Sequence, residues 1–120
     1  IRSHLELDLG NLQKIRTTFT DRAGKQVDYG MQAAIDGYRE GERFLKERTP
    51  KGMWTFSGTK GVQVVERFDD ASTDFTALYG YPEDLNDLEV EVWSKTVKVA
   101  PGQSTTQSVE IEVVSAPKKP

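Results

Sequence analysis

Cysteine is absent from this chain of 120 residues, and histidine occurs once, as His4. The first absence excludes a disulfide framework, thiolate–zinc sites, iron–sulfur clusters and a cysteine nucleophile. The second excludes sites built on several histidines and leaves any Ser–His triad dependent on one residue near a chain end. No apolar run approaches the roughly 20 residues of a membrane-spanning helix, and nothing at the start has the charged–apolar–small pattern of a signal peptide. The motifs G-x-S-x-G, G-x-x-x-x-G-K-[ST], D-x-[DN]-x-[DN]-G and N-x-[ST] are also missing. Ordinary catalytic chemistry is therefore poorly supplied, although a site made only of Asp and Glu stays open.

What is present suits one core. Hydrophobic residues make up 36% of the chain and charged residues 29%, enough to build the core of a single domain and against wholesale disorder. The expected domain covers residues 1–115, with 116–120, rich in Pro and Lys, as a tail or linker. A start at Ile rather than Met suggests a processed product or a piece of a longer protein.

Period-two alternation dominates. Leu5, Leu7 and Leu9 fall on one face of a first strand, with His4, Glu6 and Asp8 on the other. Leu12 to Thr20 reads as a second strand, and Met53–Phe56, a Ser57–Gly61 turn and Val62–Phe68 read as a hairpin. Phe75 to Tyr79 is a short apolar stretch, followed by an acidic loop from Gly80 to Asp87. Leu88, Val90 and Val92 then point inward, but Val97 and Val99 are out of phase with them. Either a bulge lies at Ser94-Lys95 or a new strand begins there. Pro101-Gly102 marks a turn before a last strand, Val109–Val113.

Residues 30–47 are ambiguous. Met31, Ala34, Ile35, Tyr38 and Leu45 share one side of a helical wheel, whereas Gly37 and Gly41 each oppose a helix by about 1 kcal/mol. A hairpin turning at Asp36-Gly37 is the alternative. The expected architecture is mainly β: an antiparallel sandwich of six to eight strands with one inserted helix at about residues 30–47.

The net charge of −3 conceals an asymmetry. Glu66 to Glu91 holds nine acids and one base, a balance of −8, while Arg39 to Lys60 holds six bases and three acids, a balance of +3. Asp69, Asp70 and Asp74 are candidate calcium ligands, as are Glu83, Asp84 and Asp87. A solvated face and a charge-protected strand edge explain the same residues. The acidic total and the lack of aromatics among the bases argue against nucleic acid as a partner.

Flat side chains beside acids suit carbohydrate, because the C–H faces of sugar rings stack on them. Trp93 shares a nominal face with Glu89 and Glu91, and Tyr79 and Tyr81 lie close in sequence. These five residues are the candidate ligand-binding set. Alternating Glu on the wet side of a strand is the plainer explanation of the acids. Trp54, within an apolar run, is expected in the core.

The C-terminal half resembles the closing strands of galactose-mutarotase-like β-supersandwich proteins. The resemblance rests on Lys51-Gly52-Met53-Trp54, on Val62 to Phe68, on Tyr81-Pro82 and on Leu88 to Ser94 running into Val99-Ala100-Pro101-Gly102-Gln103-Ser104. A Pro-Gly-Gln-Ser turn before a closing strand also occurs in immunoglobulin-like modules. The chain is shorter than half such a supersandwich, and the catalytic histidines of mutarotases have no counterpart beyond His4. The resemblance thus implies a fragment or a shrunken relative without epimerase machinery, and no catalytic residue carries over.

Three functional expectations follow. The first is a non-catalytic module of a secreted, periplasmic or cell-surface protein that binds carbohydrate or packs against a neighbouring domain, without membrane insertion. The second is a structural immunoglobulin-like interaction domain. The third is a fragment of a sugar-processing enzyme with its active site elsewhere.

Overall fold

The alternating segments become strands of two antiparallel sheets. A computed structural model describes residues 1–31, 42–81 and 83–115. Its strands are β1 (Arg2–Leu7), β2 (Arg16–Thr20), β3 (Gln26–Gly30), β4 (Glu42–Leu45), β5 (Met53–Ser57), β6 (Val62–Phe68), β7 (Thr73–Tyr81), β8 (Asp84–Ser94) and β9 (Val109–Ser115). One sheet has the order β1-β8-β7-β4 and the other β3-β2-β5-β6-β9, packed as a sandwich. Among the described residues there is no α-helix, and none long and apolar enough to cross a membrane.

The core forms where the two inner faces meet. Leu88, Val90 and Val92 of β8 are buried, as their alternation requires, and face Leu12, Ile15, Phe56 and Val64 in one apolar cluster. Its centre is aromatic. Trp54 makes edge contacts with Phe19, Phe44 and Phe56 at centroid distances of 6.3, 6.4 and 5.0 Å. Phe44 belongs to the four-stranded sheet and the other three to the five-stranded sheet, so these rings join the layers. Such edge-to-face geometry matches ring quadrupoles as well as burying area.

One acid lies inside this core. Glu66 is 1% exposed, and its Oε1 accepts the Trp54 indole N–H at 2.7 Å. Burial pushes its carboxyl above the ordinary glutamate value, and the indole hydrogen bond offsets part of that effect. The folded chain therefore favours the protonated acid. Its contribution to stability is complete below the ordinary glutamate pKa and is lost as pH rises through the raised value. Glu66→Gln keeps an acceptor for Trp54 and carries no charge. It is expected to match wild type near pH 4 and to exceed it at pH 7, by on the order of 1 kcal/mol. Urea unfolding at both pH values checks this, and an advantage that does not grow with pH would show the carboxylate to be well solvated.

Four expectations change. Leu12 to Thr20 is not one strand: Leu12–Lys14 forms a 3₁₀ turn, because the Asn11 side chain caps it by accepting the Gln13 N–H while Leu12 inserts into the core. β2 begins only at Arg16. The helix expected over residues 30–47 is not what Glu42–Leu45 form: they pair with Leu78 to Phe75 of β7 as strand β4. Phe44 is buried there and Leu45 is 49% exposed, an alternation of period two where the helical wheel had placed Leu45 inside. Residues 32–41, with the Asp36-Gly37 turn, lie outside the described residues, as does the 116–120 tail. The strand total among the described residues is nine rather than six to eight. Finally, the acidic Gly80–Asp87 stretch is largely strand, the end of β7 and the start of β8.

The slip in phase after Trp93 also has an explanation. β8 ends at Ser94, and Lys95 to Ser108 forms no strand. Val97 and Val99 are 57% and 46% exposed, so no buried face requires them to stay in phase. Within this segment Gln103 N–H closes a turn onto the Ala100 carbonyl at 2.9 Å. Pro101 precedes Gly102, whose φ of +82° is the left-handed value that the third residue of a type II turn needs.

Candidate functional site

The outer face of the four-stranded sheet is built in rows, because residues directly opposite on antiparallel strands point the same way. Arg2 lies opposite Trp93, and Trp93 opposite Phe75. His4 lies opposite Glu91, Glu91 opposite Ala77, and Ala77 opposite Arg43. Glu6 lies opposite Glu89, and Glu89 opposite Tyr79. The middle row dips at Ala77, whose methyl is covered by taller neighbours. On this face opens a shallow pocket of about 320 Å³, lined by Arg2, His4, Arg43, Tyr79, Tyr81, Glu89, Glu91 and Trp93.

All five residues singled out beside one another in the sequence, Tyr79, Tyr81, Glu89, Glu91 and Trp93, line this one pocket. The acids are more engaged than a wet strand face implies. Glu91 has a side chain only 6% exposed and receives Arg2 Nη1 at 2.8 Å and Trp93 Nε1 at 3.3 Å. Glu89, with 12% of its side chain exposed, lies 2.9 Å from His4 Nε2. It also accepts the Tyr81 hydroxyl, and this hydrogen bond holds Tyr81 above the ordinary phenol pKa. Both carboxylates are thus oriented by cross-strand donors.

Trp93 is outward, as its phase requires, but its ring is not a bare platform. It stacks on Phe75 at 5.2 Å and 15°, and the Arg2 guanidinium lies 5.4 Å from its centroid on the β1 side. Arg43 continues the arrangement 6.0 Å from Phe75. Among the described residues Arg43 forms no ion pair, so its guanidinium can serve a ligand. Reasoning from the sequence missed Arg2, His4 and Arg43 as members of this site. The polar face of the first strand was visible, but its pairing with β8 was not. Arg43 falls in the stretch that the sequence leaves ambiguous between helix and hairpin.

Asp69, Asp70 and Asp74 do not gather as ligands. Arg22 reaches into their turn and donates to the Asp70 carboxylate at 2.9 Å and to the carbonyls of Asp70, Thr73 and Asp74 at 3.2, 2.6 and 3.2 Å. A guanidinium thereby supplies positive charge at this turn. Among the described residues, the three potential metal ligands whose donor atoms come together are instead His4, Glu6 and Glu89.

Comparison with family models, with curated proteins and with solved structures finds no match for this chain.

Proposed function

We propose that this chain is a non-catalytic β-sandwich module of a secreted or cell-surface protein, and that it binds carbohydrate in the pocket on the outer face of the four-stranded sheet. The observation that carries this reading is the convergence of Tyr79, Tyr81 and Trp93 with two oriented carboxylates and the Arg43 guanidinium. Sugar hydroxyls donate and accept at once. Glu89 and Glu91 offer acceptors, and Arg43 and the Tyr79 hydroxyl offer donors. Tyr79 and Tyr81 provide aromatic surface, while Trp93, held between Phe75 and Arg2, serves as a wall.

The pocket volume of about 320 Å³ is at the small end for ligand sites and suits one or two sugar rings approached from the side. Engagement of both carboxylates by Arg2, His4 and Tyr81 favours binding over acid–base catalysis, which needs a free acid and a free base flanking the scissile bond.

A glycan array with the wild-type chain tests the proposal, followed by Tyr79→Ala and Trp93→Ala on any hit. Each substitution is expected to weaken binding about tenfold or more. If the wild type retains no glycan, the reading fails. That result would favour a second one, a structural module that packs against a neighbouring domain. The observation behind that alternative is β9, where Ile111 and Val113 lie opposite buried Glu66 and Val64 yet are 43% and 63% exposed.

A further inference from the structure

At one end of the pocket the sheet brings together groups that repel. Glu6 of β1 lies directly opposite Glu89 of β8, and like charges in that relation destabilise a strand pair. Asp87 stands two residues before Glu89 on the same face of β8. Among the described residues no lysine or arginine forms an ion pair with Glu6, Asp87 or Glu89; the nearby bases Arg2 and Lys60 are committed to Glu91 and Asp8. Among the described residues, the imidazole of His4 is the basic group placed beside these acids.

We propose that His4, Glu6 and Glu89 form a binding site for a divalent transition-metal ion, with Zn²⁺ the ion that fits best. The ligand atoms of the three residues lie within 4.8 Å of one another. Zinc holds imidazole nitrogen and carboxylate oxygen at about 2.0–2.2 Å, which sets ligand atoms about 3.3 Å apart around a tetrahedron. His4 already contacts Glu89 at 2.9 Å, and closing the remaining gap takes rotation of exposed side chains. One nitrogen and two carboxylates leave a fourth position open. The same set suits calcium poorly, because calcium takes six to eight oxygens, and nitrogen donors favour the later first-row metals.

The site does not depend on the carbohydrate reading. His4 and Glu89 also line the pocket, but Glu6 does not, so substitution at Glu6 separates the two proposals. Isothermal titration of the chain with Zn²⁺, with Ca²⁺ in parallel, is expected to show one zinc ion per chain and much weaker calcium binding. His4→Ala and Glu6→Gln are each expected to weaken zinc binding at least tenfold, while melting curves in EDTA confirm that both variants fold. Absence of zinc binding overturns the proposal. So does zinc binding that both variants retain, which would place the ion elsewhere, or calcium binding as tight as zinc. Loss of zinc binding in Glu6→Gln with any glycan binding retained would support the metal site and leave the pocket intact.

Discussion

Trp54→Ala is expected to destabilise the chain more than any other single substitution at an aromatic residue. Trp54 is fully buried and touches three rings from both sheets. Truncating such a side chain costs roughly 3–5 kcal/mol, from lost transfer energy and from the cavity left behind. A second penalty arises here, because Glu66 loses the indole N–H that is its hydrogen-bond partner, and an orphaned buried polar group adds roughly 1–3 kcal/mol. Against a typical total of about 5–15 kcal/mol, the variant is expected to be marginal or unfolded at 37 °C. Trp54→Phe isolates the second effect, since it keeps most of the packing and removes only the donor. Trp93→Ala is the control: the residue is partly exposed on the outer face, and its loss should move the urea midpoint far less. Circular dichroism during urea unfolding of the three variants checks the ranking. If Trp54→Ala unfolds within a few tenths molar of wild type, the aromatic junction between the sheets is not what holds them together.

Gly58→Ala is expected to have the next largest effect, although the residue lies in a surface hairpin between β5 and β6. A Cβ at this position would fall inside van der Waals contact of the Leu9 carbonyl oxygen and press on the Leu9 Cβ. The obstacle is backbone, which cannot swing aside as a long side chain does. The same carbonyl accepts the Thr59 N–H at 2.9 Å, so the hairpin tip is tied to the segment after β1, where Leu9 enters the core. Relieving the clash means breaking that hydrogen bond or lifting Leu9, and overpacking of this kind costs about 1–3 kcal/mol. Urea midpoints and amide exchange at Thr59 check the expectation, and a protected Thr59 amide in a fully stable variant would count against it.

Both residues illustrate what a one-dimensional pattern can and cannot carry. The apolar run around Trp54 was enough to place it in the core, because burial follows from hydrophobicity and period. Gly58 looked like an ordinary turn residue, because Leu9, which limits it, lies far away in the chain. The candidate site divides along the same line. Tyr79, Tyr81, Glu89, Glu91 and Trp93 were recognisable together, since they belong to adjacent strands, and alternation along β8 places its two acids and Trp93 on one face. Arg2 and His4 lie more than 80 positions from Glu91 and Glu89, and no local signal connects them. β4 failed for a related reason. Four residues are too few for alternation to outweigh a helical pattern in the residues before them, and the pairing of Phe44 opposite Thr76 decided it.

By itself, then, the sequence determined that the chain is mainly β, that its core is apolar and free of cysteine, and which side of β8 faces inward. Each of these follows from interactions between near neighbours and water, which repeat along the chain and leave a periodic trace. The tertiary structure alone decided which strands pair, and so which charges meet. It set Arg22 among the carbonyls of the Asp70 turn, Arg2 on Glu91, and His4 beside Glu6 and Glu89. Register between distant strands is chosen by the summed packing of whole faces, and that sum exists only once the sheets have formed.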